Sequence, residues 1–379
     1  MAESVAFKEL FSGSFARELG AQVRRGAPGF DEVAFVRDAT HGLSELEFSG
    51  RVQRIADALG AALVDAHGGT LDFPRACDEL ERGLPEPLRT TKGMEVGRLQ
   101  WPVGAWVARH GFDADGAPLD VDAAFRLMTA LTQRFTSEFA VRPHVAFDPE
   151  DAVRRLSSRT AHPNPHVRRW CSEGLRPRLP WGARLDALVE DPAPLVPMLD
   201  ALVDDPEEYV RRSVANALGD VAKDHLGLAC DVASRWAEEG DPKRLWTVRH
   251  ALRAPIKAGA PRALEVLGFG PPDGVRARVT VAPDAVPIGG AVEVRAELVA
   301  DRPLRALVDL RVEYVKANGR RAPKVFKWKE VELAPGATLE LARTLDLVPR
   351  TTRRLHPGRH AATVQVNGVV LGGAEFNLE

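Results

Sequence analysis

Basic, amide and acidic side chains recur along one side of two predicted helices near the middle of the chain. In the second helix, Arg212, Asn216 and Asp220 follow one another at intervals of four residues, so they share one side. In the first helix, Arg169 and Glu173 take the same phase. Carboxylates can stabilise a developing positive charge, and arginines can hold phosphates. This line of side chains is the candidate chemical surface, although a solvated helix face is the alternative interpretation.

A repeated pattern positions these helices. The tripeptides Val167-Arg-Arg, Val210-Arg-Arg and Val248-Arg-His follow one another at intervals of roughly 40 residues, the period of HEAT repeats. Such repeats are helix pairs that stack into a curved solenoid. Stacking predicts three aligned rows of side chains: Arg169, Arg212 and His250, then Glu173 and Asn216, then Asp220.

A further carboxylate, Glu138, lies in the run from Thr136 to Pro143. The apolar spacing from Ala123 onwards predicts an amphipathic helix that Pro143 ends. Glu138 then lies near the C-terminal end of this helix, where a carboxylate gains nothing from the helix dipole. The position indicates a functional residue, and a solvent-facing glutamate is equally compatible with the sequence.

The periodicity changes from helical to alternating beyond the Gly- and Pro-rich segment 268–274. About seven short alternating runs follow, which predict an antiparallel immunoglobulin-like sandwich. The predicted fold is therefore mainly α, a HEAT-like α-solenoid followed by a C-terminal all-β immunoglobulin-like sandwich. The predicted domains are residues 1–269 and 270–379.

Charge is concentrated in two segments, although the formal net charge is only −2. Segments 142–178 and 302–330 are both rich in arginine and lysine, which suggests that they contact a polyanion. In the second segment, Asn318-Gly319 predicts a hairpin turn followed by Arg320, Arg321 and Lys324. This basic tip predicts either phosphate contacts or a charged edge that prevents aggregation.

Several classes of chemistry find no motif in the sequence. There is no phosphate-binding glycine loop, no nucleophile elbow and no metal-ligand spacing, so we expect no cofactor and no metal. Cys77, Cys171 and Cys230 are widely separated and are expected to be buried and reduced. We expect no signal peptide, no membrane span and a cytoplasmic location.

Four segments carry a resemblance to a known family: residues 137–143, 166–169, 172–181 and 213–225. The run Ser-Glu-Gly-Leu-Arg-Pro-Arg-Leu-Pro-Trp, which ends at Trp181, is the most specific of them. Together they resemble the AlkC branch of the HEAT-repeat DNA alkylation-repair glycosylases, which is related to AlkD. A subset of that branch also carries a C-terminal immunoglobulin-like domain, so the resemblance is expected to extend to Glu379.

The resemblance implies excision of cationic N3-alkylated bases, such as 3-methyladenine, from double-stranded DNA, without need for extrusion of the base. It places the active-site carboxylates at Glu138, Glu173 and Asp220, and an aromatic residue at Trp181. The arginines expected to hold phosphates and balance the acids are Arg169, Arg176, Arg178 and Arg212. The protein is expected to act as a monomer at the bacterial nucleoid.

A non-catalytic HEAT scaffold that binds DNA or a protein is the alternative function. Acids inside a basic groove distinguish the two hypotheses, because Glu173 and Asp220 would repel the phosphates of a ligand that is only bound. A protein partner would accept such mixed charge.

Overall fold

The computed structural model describes residues 7–91, 94–350 and 354–379. Helices occupy the chain as far as residue 265, and strands follow from residue 275, which confirms the predicted order of a helical and a β region. The α-helices are α1 (Gly13–Gly26), α2 (Glu32–Thr40), α3 (Phe48–Ala66), α4 (Phe73–Gly83), α5 (Trp101–His110), α6 (Val121–Thr132), α7 (Arg142–Phe147), α8 (Pro149–Ser157), α9 (Pro165–Gly174), α10 (Asp186–Glu190), α11 (Val196–Leu202), α12 (Glu208–Asp224), α13 (Leu226–Glu238), α14 (Pro242–Ala251), α15 (Arg253–Ala258) and α16 (Pro261–Glu265). Short 3₁₀ helices span Phe7–Leu10, Leu43–Glu45, Met94–Gln100 and Ala193–Leu195.

The three Val-Arg tripeptides all lie in helices that pack in series, because α12 contacts both α9 and α14. Helix α9 begins where the Asn164 side chain accepts a hydrogen bond from the His166 amide at 2.9 Å, with Pro165 in the first turn. On α12, Val210, Val214 and Leu218 are fully buried, as the apolar spacing predicts.

The first arginine after each of the first two valines is structural. Arg168 donates to both carboxylate oxygens of Asp205, at 2.6 and 3.0 Å, and so joins α9 to the loop before α12. Asp205 in turn accepts from the Glu207 amide at 2.9 Å. Arg211 donates to the carbonyls of Asp205 and Pro206. The Asp205-Pro206 segment thus accepts hydrogen bonds from the first arginine of both Val-Arg-Arg tripeptides.

The strands form two sheets, as an immunoglobulin-like sandwich requires. The smaller sheet has the order β1-β3-β6, and the larger has the order β2-β8-β7-β4-β5. The strands are β1 (Val275–Ala282), β2 (Ala285–Val286), β3 (Ala291–Ala300), β4 (Leu304–Val315), β5 (Arg321–Leu333), β6 (Thr338–Asp346), β7 (Gly358–Val366) and β8 (Val369–Leu378). The predicted turn at Asn318-Gly319 joins β4 to β5, and Gly319 supplies the left-handed φ of 75° that such a turn needs.

The chain divides into two compact units. One comprises residues 1–228 and 241–251, and the other comprises residues 229–240 and 252–379. The sandwich unit thus includes two stretches of helix that precede residue 270. The boundary between residues 269 and 270, where helix gives way to strand, stays a prediction for where the functional domains divide.

The predicted helix that runs to Pro143 is wrong. Helix α6 ends at Thr132, and Pro143 lies in the first turn of the next helix, α7. A proline is well tolerated there, because the first amides of a helix have no intrahelical acceptor. Glu138 consequently lies in the turn between α6 and α7.

The three cysteines are free and buried, as expected from their spacing. Over the ranges that the structure describes, no helix combines the length and apolarity that a bilayer crossing requires.

His144 on α7 is a buried histidine without hydrogen-bonding partners for its ring nitrogens in the described part of the chain. Its ring packs against Phe112 and Phe125, with centroids 4.7 and 5.7 Å away. Burial, helped by the cation of Arg155, lowers its pKa from 6.5 to about 4. The folded protein therefore binds fewer protons than the unfolded chain between these values, and stability falls as the pH drops through this window.

We expect His144→Phe to remove this acid sensitivity. Between pH 7 and pH 5, the wild type should lose about 2 kcal/mol more unfolding free energy than the variant. Urea unfolding at both pH values measures the difference. His41→Gln, at an exposed position, is the control and should behave as wild type. Equal losses in His144→Phe and wild type would contradict the assignment of a neutral buried imidazole.

Candidate active site

Four segments of the helical unit supply the candidate site. The turn between α6 and α7 carries Glu138, and α9 carries Arg169 and Glu173. The loop of residues 175–185, between α9 and α10, carries Arg176 and Trp181, and is called the tryptophan loop below. Helix α12 carries Asp220.

Three carboxylates and two guanidiniums alternate in one buried chain of ion pairs. Arg169 Nη1 lies 2.5 Å from Glu138 Oε2, and its Nη2 lies 3.5 Å from Glu173 Oε1. Arg176 Nη1 lies 2.7 Å from the same Glu173 oxygen, and its Nε lies 2.8 Å from Asp220 Oδ2. Glu138, Glu173 and Asp220 are 8, 6 and 2 % exposed. We call these five residues the carboxylate cluster.

The cluster pushes the pKa values of two of its carboxyl groups in opposite directions. Burial raises the pKa of Glu138, and the Arg169 cation opposes this only in part. Burial acts in the same direction on Glu173, but the guanidiniums of Arg169 and Arg176 outweigh it and hold the pKa of Glu173 below its usual value. Separated pKa values in neighbouring carboxyls are a recurrent feature of catalytic sites.

Polar side chains outside the predicted set complete the cluster. Ser213 Oγ donates to Glu173 Oε2 at 2.7 Å, and Arg169 Nη1 donates to Thr136 Oγ1 at 3.2 Å. The Arg169 guanidinium also lies 5.5 Å from the ring centroid of Tyr209. The sequence patterns predict no role for these residues. Ser213 could have been found, since it precedes Asp220 by two helical turns on the same helix.

Trp181 combines full exposure with an unusual backbone. Its side chain is 96 % exposed, and its φ is 63°, in the left-handed region that bulky residues rarely adopt. Such a conformation costs roughly 1–3 kcal/mol, and an exposed indole recovers nothing by burial. An exposed aromatic residue held at this cost points to contact with a ligand.

An apolar groove of about 870 Å³ lies beside the cluster. Aromatic rings and small residues of α5 line it. Thr136, which accepts a hydrogen bond from Arg169, also lines it. The main lining residues are Phe48, Trp101, Gly104, Ala105, Ala108, Thr136, Phe139 and Trp181.

The arginines predicted to hold phosphates fall into two groups. Arg169 and Arg176 are buried within the carboxylate cluster, with side chains only 14 and 10 % exposed. Arg178 pairs with Asp224 at 2.7 Å near the surface, and Arg212 is exposed.

The predicted row of Arg169, Arg212 and His250 is only partly formed. Arg212 pairs with Glu208 and lies 5.9 Å from the ring centroid of Trp246. Trp246 stacks on His250 at 5.2 Å, and His250 lies 3.1 Å from the amide oxygen of Asn216. Arg212, Trp246, His250 and Asn216 therefore form a series of side-chain contacts between α12 and α14.

The basic residues of the sandwich lie at the β4–β5 hairpin. Arg320 is exposed in the turn, and its amide donates to the Asn318 side chain at 3.1 Å. Arg321 pairs with Glu375 at 2.8 Å. Lys324 lies over the Phe326 ring at 5.4 Å. Arg320 and Lys324 are therefore the better placed of the three to meet an anion.

Fold and site together define a HEAT-repeat protein with a C-terminal immunoglobulin-like domain and buried carboxylates. Residues 195–225 match the HEAT repeat, and residues 276–379 match the family described as "Uncharacterised protein YhaZ, C-terminal Ig-like domain".

Two relatives match along the whole chain. YhaZ of Bacillus subtilis (strain 168), an uncharacterized protein, is 31 % identical over 373 residues, which cover 98 % of this chain and 99 % of YhaZ. The structure of the Pseudomonas fluorescens alkylpurine DNA glycosylase AlkC, bound to DNA containing an abasic site analog, is 33 % identical with a TM-score of 0.84. That match covers 99 % of this chain and 100 % of AlkC. The chain belongs to the family of AlkC and YhaZ, which confirms the resemblance seen in its motifs.

Proposed function

We propose that this protein is a DNA glycosylase of alkylation repair that excises cationic N3-alkylated bases of the 3-methyladenine type. One observation carries the proposal: Glu138, Glu173 and Asp220 are buried together beside an exposed and strained Trp181. Similarity to an alkylpurine DNA glycosylase along the whole chain supports the same activity.

The substrate supplies part of the driving force. An N3-alkylated adenine is positively charged, so its N9–C1′ bond breaks with the electron pair staying on a base that becomes neutral. No strong general acid is needed for this departure. Positive charge then builds on the deoxyribose at C1′, and a water molecule adds there while its proton passes to a carboxylate or to solvent.

The carboxylate cluster acts on the sugar. Asp220, with Glu173, stabilises the positive charge at C1′ and orients the attacking water. Glu173 suits this role because its lowered pKa keeps it ionised. Glu138, whose pKa is raised by burial, adds electrostatic stabilisation in its ionised form.

The arginines of the site have two different roles. Arg169 and Arg176 balance the buried acids and fix their positions through the hydrogen bonds described above. Arg178 and Arg212, nearer the surface, contact phosphates on either side of the lesion. Trp181 lies against the sugar or the cationic base, where a cation–π contact contributes about 0.5–2 kcal/mol.

The direct test is release of free base from double-stranded DNA treated with a methylating agent. The purified protein, acting as a monomer, should release 3-methyladenine as measured by chromatography. A folded protein that binds DNA with an abasic-site analogue but releases no base would favour the non-catalytic scaffold.

The basic hairpin is proposed to contact the DNA backbone. We expect the double variant Arg320→Ala/Lys324→Ala to weaken DNA binding and to reduce the slope of log affinity against log salt by about 2, since each phosphate contact contributes about 0.9. Fluorescence anisotropy over a series of salt concentrations measures the slope.

A charge-matched control comes from the other sheet. The double variant Arg278→Ala/Arg295→Ala removes two exposed cations of β1 and β3, and it should change the slope much less. Equal slopes for wild type and the hairpin variant would rule out the proposed contact and leave the charges as protection against edge pairing.

A further inference from the structure

The tryptophan loop has few hydrogen bonds within its own backbone. The Leu185 amide donates to the Pro177 carbonyl, and the Gly182 amide donates to the Leu179 carbonyl, both at 3.1 Å. Only these two backbone bonds close the loop within itself over the described residues. The left-handed backbone of Trp181 therefore needs support from outside the loop.

Arg142, the first residue of α7, provides that support. Its Nε donates to the Ala183 carbonyl at 2.5 Å, and its Nη1 donates to the carbonyls of Arg176 and Gly174 at 3.1 and 3.4 Å. These three acceptors lie on both sides of Trp181, with Gly174 and Arg176 before it and Ala183 after it. One side chain thus fastens both sides of the loop.

This guanidinium is buried at a real cost. Arg142 is 3 % exposed and makes no ion pair within the described ranges. Burial, together with the neighbouring Arg176 cation, lowers its pKa to about 10. Burial of a cation without a carboxylate partner is strongly unfavourable, so the position of Arg142 indicates a specific role for its side chain.

The loop is shaped to receive this side chain. A Cβ atom on Gly182 would lie 3.2 Å from both Cδ and Nε of Arg142, closer than such atoms normally approach. Gly182 directly follows Trp181 and precedes Ala183. The absence of a side chain there lets the guanidinium reach the Ala183 carbonyl.

We propose that Arg142 is a positioning residue, which fastens the tryptophan loop so that Trp181 and Arg176 are presented in fixed places before DNA binds. The proposal rests on the proposed function in that Trp181 acts on DNA. Because Arg142 is buried and donates to the backbone of the loop, it acts through these two residues and not on the substrate itself. Its hydrogen bonds to backbone carbonyls make a pre-organised loop, which avoids ordering costs on binding.

The first test measures the loop without any activity assay. Trypsin can cut the Arg178–Leu179 bond only when the loop opens locally, so the cutting rate reports how well the loop is fastened. We expect cleavage at this bond to be about 10-fold faster or more in Arg142→Gln than in wild type. Trypsin should also cut this bond faster in Arg142→Lys, since a lysine ammonium cannot span three fixed carbonyls.

Arg211→Gln is the matched control. Arg211 is likewise buried and donates to two backbone carbonyls, but those belong to Asp205 and Pro206, outside the tryptophan loop. This variant should lower the melting temperature without faster cleavage at Arg178–Leu179. If Arg142→Gln fails to fold, Gly182→Ala loosens the same contact from the loop side and should give the same faster cleavage.

The second test couples Arg142 to Trp181. Arg142→Gln should lower the rate of single-turnover base release. In the Arg142→Gln background, Trp181→Ala should lower this rate by a further factor of less than about 2, because the effects of residues that act as a unit are not additive. In the Arg211→Gln background, Trp181→Ala should lower the rate of base release by the same factor as it does in wild type. Unchanged cleavage in folded Arg142→Gln, Arg142→Lys and Gly182→Ala, or fully additive rates, would overturn the proposal. A wild type without base release would refute the proposed function alone, since the cleavage test would still decide whether Arg142 fastens the loop.

Discussion

Asp220→Asn should lower the rate of base release by roughly 100- to 1000-fold, the usual effect of removing one pre-organised group that stabilises transition-state charge. Asparagine keeps the shape of the side chain and can still accept from Arg176 Nε, which lies 2.8 Å from Asp220 Oδ2. What it removes is the negative charge beside C1′. Single-turnover kinetics with saturating protein isolate this chemical step from product release.

Asp224→Asn is the matched control for Asp220→Asn. Asp224 lies one turn further along α12, pairs with Arg178 near the surface and is not part of the carboxylate cluster. We expect it to keep base release within a few-fold of wild type, because exposed ion pairs contribute little. Equal rates for Asp220→Asn and wild type would remove Asp220 from the mechanism, provided that both proteins are folded at the assay temperature.

Trp181→Gly should separate stability from activity. Glycine adopts a positive φ without strain, so the free energy of unfolding should stay unchanged or rise by up to about 1 kcal/mol. The exposed indole contributes no burial that the variant could lose. Base release should nevertheless fall by about 10-fold, the loss expected for one cation–π contact of ordinary strength.

Trp181→Phe completes this comparison. Retained activity in Phe would show that an aromatic face is sufficient at this position, whereas loss in both variants would indicate a requirement for the indole. Urea unfolding and single-turnover base release on the same three proteins provide both quantities. Full activity in Trp181→Gly would remove the residue from the mechanism and leave its strained backbone without a functional explanation.

The helical repeats could be predicted from the sequence because their signals are periodic. The Val-Arg tripeptides fix the phase of α9 and α12. This phase predicts Glu173 and Asp220 on one shared surface, and both carboxylates pair with Arg176. The alternating strands beyond residue 275 and the Asn318-Gly319 turn could also be predicted from the sequence, since each depends on local residue type.

The surroundings of each side chain could not be obtained from periodicity. Arg169 and Arg212 share a helical phase, yet Arg169 is buried against Glu138 while Arg212 is exposed beside Glu208. The difference arises from the turn between α6 and α7, which covers Arg169 and has no counterpart in the repeat pattern. The sequence predicts that Pro143 ends a helix, whereas it lies in the first turn of α7, so the turn that contacts Arg169 is not predicted.

The conformation of the tryptophan loop cannot be predicted from the sequence for a similar reason. Its prolines and glycine indicate an irregular segment, but its backbone also accepts hydrogen bonds from Arg142, which lies more than thirty residues before Trp181. The groove beside it is likewise built from α3, α5 and the α6–α7 turn, which are distant in sequence. Such long-range contacts determine how the predicted residues are presented.

The most direct measurement compares a cationic lesion with a neutral one in the same duplex context. If the buried carboxylates act on a sugar whose base is already charged, the protein should release 3-methyladenine but leave uracil in place. Neutral uracil would have to leave as an anion, which buried carboxylates do not stabilise. Chromatography of the free bases from the two substrates decides the matter. Release of both at similar rates would contradict the account, as would release of uracil alone.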